Sequence, residues 1–324
     1  WIGSVNAFLV VFCGLIAGRL YDKGYFRLAT FLGSFLSILG LFMLSLAKPN
    51  QFYQVFLAQG VCLGIGAGLL YVPSIAVVSH YFRRRRVLAM AILATGSSFG
   101  SVIHPIMLNN TLYSSLGFGN SVRASAGLVA GMLVIANLLM RPRLPPAKDT
   151  IDLIPACKKF AKDKAYVYAT IGMFFVTIGF YYPLYFLQLA ATQHGLSEGF
   201  AFYSLVILNF CSFVGRLSSG FIAHYMGAPI IITFSATCCA AVTIAMLSVK
   251  TVSSVVVIGI FFGFFAGARM GIAFAVTAFG SLIGSPISGA LLGNDFQWWK
   301  PSIFSGVSFL VSYLAIADVL FNDV

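Results

Sequence analysis

Apolar residues run in near-continuous blocks of roughly twenty, separated by short polar segments, from one end of the chain to the other. A helix rising 1.5 Å per residue needs about 20 residues to cross a ~30 Å hydrocarbon core. Eleven blocks approach that length: residues 1–18, 28–46, 52–79, 87–107, 121–140, 166–190, 200–223, 228–248, 252–268, 270–292 and 301–319. Stretches such as VVVIGIFFGFFAG lack the two-residue alternation of a membrane strand, so a β-barrel is excluded. The pattern predicts an all-α, polytopic membrane protein.

Composition agrees. Of 324 residues, 60% are hydrophobic and 9% charged, with a mean hydropathy of +0.95, whereas soluble domains are about a quarter charged. Thirty-two Phe against eight Asp and Glu exclude a disordered chain. The lipid bilayer is the expected surrounding.

The net charge of +12 is informative through its placement. Alternate loops hold Arg19, Lys23 and Arg27, then Arg83, Arg84, Arg85 and Arg86, then Arg141, Arg143, Lys148, Lys158, Lys159, Lys162 and Lys164, and lastly Arg269. The opposite loops hold only Lys48, Arg123, Lys250 and Lys300. Basic loops stay cytoplasmic, which puts residue 1 outside and the carboxyl terminus inside. Nucleic-acid binding is not expected, because no solvated domain presents the arginines with interleaved aromatics. The chain opens on Trp1 without Met or a basic n-region, so residues 1–18 are not a signal peptide, and a preceding helix is expected.

Cys13, Cys62, Cys211, Cys238 and Cys239 lie in spans and Cys157 in a loop, with no disulfide or zinc spacing. No metal or cofactor is expected. Asn109, Asn110 and Thr111 form a glycosylation sequon in a loop that charge places outside.

The longest polar connection, Arg141 to Lys164, separates five upstream spans from six downstream. The expected division is a helical bundle over 1–140, a cytoplasmic linker over 141–165 and a second bundle over 166–324. Phe99, Gly100, Ser101 and Ile103 return as Phe279, Gly280, Ser281 and Ile283, and Gly18–Gly24 is echoed in Gly220–Gly227. Each echo falls six spans later, the mark of a carrier built from duplicated helix sets. The interval between the echoed segments is about twenty residues shorter in the second half, which predicts an internal deletion near Arg269.

On these residues the chain resembles a known family. Gly18, Leu20, Asp22, Lys23, Gly24 and Arg27 are similar to the loop signature after the second helix of the major facilitator superfamily, one residue shorter between Asp22 and Gly24. The run YFRRRRVLAMAILATGSSFG from Tyr81 to Gly100 resembles the monocarboxylate transporters, of fungal type, with Ala91 where that pattern expects a glycine-like small residue. NFCSFVGRLSSGF from Asn209 to Phe221 supports the same branch. The resemblance implies a fold of two helical bundles, with eleven of twelve helices present.

Glycine spacing adds a packing reading. Gly60, Gly64 and Gly68 line one ridge of the third span, and Gly259, Gly263 and Gly267 line one of the ninth. Spacing by four lets helix backbones approach closely in lipid.

Arg216 is the main candidate for function. It lies eight residues before His224 at the end of the seventh span, roughly 12 Å deep. A cation at that depth faces a partner or a wet cavity, and Asp22, Asp149, Asp152, Asp163, Glu198, Asp295, Asp318 and Asp323 all fall in loops or near span ends. A substrate carboxylate, gripped bidentately, would answer the charge. The alternative is an arginine satisfied by backbone carbonyls or water. The resemblance implies that Arg216 anchors the substrate carboxylate. Ser212 stands where proton-coupled members place an acid, so coupling to a proton is implied by kinship alone.

Asn209, Ser212, Tyr71, Tyr182 and Tyr185 are further candidates for the substrate site, and His104 is expected to pack or hold water. Asp22 with Arg83, Arg84, Arg85 and Arg86 is expected to latch the cytoplasmic side. The expected function is alternating-access transport of a small organic anion, a monocarboxylate, with a proton as the co-substrate that kinship suggests. Alternatives are carriage of another solute such as a vitamin, or a non-transporting sensor or truncated product. An enzyme would need a metal cluster or an acid/base pair within the bilayer, and neither is present in the spans. The expected location is the plasma membrane, with an organellar membrane as the alternative.

Overall fold

The computed structural model describes residues 1–82, 86–112, 117–144, 162, 164–226, 228–249, 251–270, 286–293 and 296–322. Helices occupy Ile2–Asp22 (α1), Phe26–Ser45 (α2), Phe52–Tyr81 (α3), Arg86–Leu112 (α4), Gly117–Leu139 (α5) and Lys164–Gln193 (α6). Glu198–Met226 (α7), Ala228–Ala245 (α8), Val252–Met270 (α9), residues 286–292 (α10) and Trp299–Asn322 (α11) follow. Among the described residues there is no strand, as bilayer physics requires of a chain that satisfies its backbone within each span. Among the described residues, eight helices are long and apolar enough to cross a membrane, and Val252–Ala268 adds a shorter apolar segment. The predicted blocks 1–9 and 11 each coincide with a helix. Most of block 10, the repeat residues Phe279, Gly280, Ser281 and Ile283, most of the 141–165 linker, and Arg83, Arg84 and Arg85 lie outside the described residues.

Within α3, α4 and α6, two features depart from regular helix. Phe56–Cys62 in α3 winds as a π-helix, a wider turn that re-aims the side chains after it. Pro73, Pro105 and Pro183 sit inside α3, α4 and α6; each lacks an N–H, a loss tolerated in membrane helices because neighbouring groups satisfy the freed carbonyl.

The described residues within 1–86 and 103–150 form one compact unit, and those within 87–102 and 151–324 form another. In the first, α3 packs between α1 and α2. A Cβ at Gly64 would stand 2.9 Å from Leu9 Cβ, and one at Gly68 would stand 2.8 Å from both Cys13 Cβ and Val10 O. The predicted ridge is therefore the α1 contact. Gly66 turns the other way, against Ser37 and Gly33 of α2. Polar bonds zip α2 to α5: Asn137 Nδ2 donates to Ser34 Oγ at 2.7 Å and Arg123 Nε to Ser45 Oγ at 3.4 Å.

In the second unit, α7 and α9 make the closest pair. Gly263 lies directly on the Leu208 carbonyl, Gly267 on the Ser212 backbone, and Gly215 on the Phe264 carbonyl. Small residues facing each other from both helices leave no side chain between the backbones, so dispersion acts at short range where no hydrophobic effect operates. Beside this pair, Tyr182, Phe262, Phe309, Val176 and Leu187 fill the core.

Candidate functional site

Asn209, Ser212 and Arg216 are spaced by three and four residues, so α7 presents them on one face. The adjoining face, built on Gly215, is committed to α9. On the side of Arg216, α7 meets the first half of α4, whose residues 87–102 belong by their packing to the same unit.

The two helices meet closely because both sides are small. Ala91 abuts Gly220 directly, and Ser98 Oγ and Ser212 Oγ stand 3.3 Å apart. Phe99 tilts against Phe213 with ring centroids 6.1 Å apart. Into this contact Arg216, half-buried, sends Nη1. It donates to the Ala94 carbonyl at 2.6 Å and to Ser97 Oγ at 2.5 Å. A helical carbonyl has a second lone pair beyond the one used by its own helix, so Ala94 accepts without breaking α4. Both of these acceptors are neutral.

The other candidates are placed as follows. Asn209 Nδ2 donates to Leu205 O of its own helix at 2.9 Å. Ser212 is buried beneath Gly267. Tyr182 is fully buried, its hydroxyl 2.8 Å from Ser302 Oγ and within 3.4 Å of Trp298 O, a packing position against α11. Tyr185 is exposed and stacks on Tyr181 at 5.5 Å. Tyr71 is half-buried on α3, in the first unit. Asp22 is exposed at the last residue of α1, while Arg83, Arg84 and Arg85 and the Arg86 side chain fall outside the described residues. His104 packs by hydrogen bonding, with Nε2 3.0 Å from Ser125 Oγ of α5.

Sequence reasoning missed Ala94, Ser97 and Ser98 as neighbours of Arg216. It also passed over His80, whose Nε2 lies 2.9 Å from the Tyr21 hydroxyl and ties the end of α3 to the end of α1. The available signal for His80 is a histidine and a tyrosine both placed at span ends beside basic loops.

Comparison with known proteins agrees with this architecture. The Aspyridones efflux protein apdF of Emericella nidulans is 35% identical over 326 residues, covering 94% of this chain and 66% of that protein. The chain therefore spans about two thirds of the length of that relative. The Fujikurins efflux protein of Gibberella fujikuroi is 33% identical over 334 residues, covering 96% of this chain and 71% of that protein. Among solved structures, the human organic anion transporter MFSD10 superposes with a TM-score of 0.75 at 14% identity, covering 97% of this chain and 82% of that one, which shows the fold alone. The pattern of the Major Facilitator Superfamily matches residues 1–268. A multi-pass helical protein with these matches belongs to the Major Facilitator Superfamily.

Proposed function

We propose that this protein transports a small organic anion across the membrane by alternating access, with Arg216 as the group that receives the anion. The observation that carries this reading is a guanidinium inside an apolar helix, its Nη1 aimed at the α4 contact where it meets the Ala94 carbonyl and the Ser97 hydroxyl. A carboxylate offers the same donors two charged oxygens in matching geometry. Asn209 and Ser212 share the face of Arg216 and extend the site along α7. The resemblance of Tyr81–Gly100 and Asn209–Phe221 to the monocarboxylate transporters supports a monocarboxylate. Proton coupling rests on kinship and finds Ser212 where an acid is expected. Basic loops orient the protein with Asp22 and the arginine run at the cytoplasmic face, and the plasma membrane is the proposed location.

A second reading concerns direction and substrate size. Two relatives are named as efflux proteins for aspyridones and fujikurins, which favours export of a larger organic metabolite through the same anion site. Uptake into, and export from, vesicles bearing the carrier, with labelled pyruvate, benzoate and riboflavin, tests both. Saturable flux of an anion supports the main reading, and flux of neutral riboflavin alone contradicts it.

A further inference from the structure

Within the second unit, α4 and α7 are joined along one antiparallel seam. Ala91 pairs with Gly220, then Ala94 and Ser97 with Arg216, then Ser98 and Phe99 with Ser212 and Phe213, so the pairing climbs α4 as it descends α7 turn by turn. The fastenings differ in strength. The Ala91–Gly220 contact and the ring pair are apolar, and in lipid such contacts gain only dispersion. The hydroxyl pair, at 3.3 Å, is long for an O–H···O bond. The bonds from Arg216 are charge-assisted and short, the strongest described links along the seam.

We propose that Arg216 is a clasp released by the substrate: an organic anion reaching the guanidinium takes it from the Ala94 carbonyl and the Ser97 hydroxyl, and binding thereby loosens the seam between α4 and α7. This inference rests on the anion-carrier reading above. The exchange favours the anion because a carboxylate carries a full charge and accepts two parallel N–H bonds, whereas a carbonyl and a hydroxyl present only partial charges. A ligand shifts a conformational equilibrium by its differential affinity for the two states, and here the difference is built into one side chain. Linkage is reciprocal, so a change that weakens the clasp strengthens anion binding by the same factor. Ser97 is then a positioning residue whose loss tightens binding, the opposite of what loss of a direct substrate ligand or of a purely structural bond would do.

The test places spin labels at Ile92→Cys and Phe221→Cys, both exposed and outside the clasp, in the otherwise cysteine-free carrier in lipid nanodiscs. The label distance and the binding of acetate, pyruvate and benzoate are then measured together. In the wild type, a saturating probe anion lengthens the distance. Arg216→Ala is lengthened without any probe and does not respond to one. Ser97→Ala, the milder variant, gives roughly two- to tenfold tighter anion binding and a partly lengthened distance. An unchanged distance in probe-free Arg216→Ala overturns the clasp, as does Arg216-dependent anion binding that leaves the distance unmoved, or weaker binding in Ser97→Ala. If no probe binds in an Arg216-dependent way, the anion-carrier reading itself fails, and the clasp with it.

Discussion

Gly220 of α7 lies directly against the Ala91 methyl of α4, the only side-chain atom Ala91 puts between the two backbones. That approach sets the reach of Arg216, one helical turn earlier on α7, and brings its Nη1 to the Ala94 carbonyl one turn later on α4. Gly220→Leu should push the helices apart and break both Arg216 bonds. We expect anion flux to fall by about tenfold or more, equivalent to about 1.4 kcal/mol, in protein that still reaches the membrane. Flux measured in reconstituted vesicles checks this, and wild-type flux would show that the close approach is incidental.

The α7–α9 pair should be the most sensitive packing surface. Gly263 rests on the Leu208 carbonyl, whereas Gly127 has open space around the position a Cβ would take. Gly263→Leu should cost about 1–3 kcal/mol through overpacking, seen as a clear fall in the apparent Tm of the detergent-solubilised protein. Gly127→Leu is the matched control and should leave Tm unchanged. Equal shifts in the two variants would contradict the assignment.

The helices and their close packing were legible in the sequence because both are local properties. Twenty apolar residues in a row suffice to span a bilayer, and glycines four apart make a ridge whatever the partner is. The place of Arg216 inside a long apolar helix was legible for the same reason. Its neighbours were not. Ala94 acts through its backbone carbonyl, which every residue possesses, and it stands 122 residues away in the chain. Ser97 and Ser98 sit among other small residues in ATGSSFG, and nothing in that run distinguishes which serine faces another helix. Tyr182 shows the same limit. A tyrosine in a span suits a pocket or packing alike, and its burial beside Ser302 depends on the pairing of α6 with α11, which lies far off in the chain.

Tyr182→Phe therefore separates packing from binding. Removing the hydroxyl that meets Ser302 should lower stability by about 0.5–1.5 kcal/mol and leave the KM for the transported anion unchanged. Thermal unfolding and concentration-dependent flux, measured on the same preparation, check both halves. A raised KM with unaltered stability would instead give Tyr182 a place in the substrate site.

Asp22, exposed where α1 ends, tests the proposed cytoplasmic latch. Asp22→Asn removes the charge that the arginine run at 83–86 would meet. We expect cysteine probes placed near the basic loops to label faster, because the state closed on that side loses an ion pair. Unchanged labelling would reduce Asp22 to a loop-forming residue.

The proposed role of Arg216 in receiving the anion is read out by flux of a labelled organic acid in Arg216→Ala and Arg216→Lys carriers. Loss of a charge-assisted pair worth about 1.5–3 kcal/mol predicts roughly ten- to a hundredfold lower transport efficiency for Arg216→Ala. Arg216→Lys, which keeps the charge but not the bidentate fork, should fall between Arg216→Ala and the wild type. Wild-type flux of the anion in Arg216→Ala, at equal membrane abundance, would contradict the account.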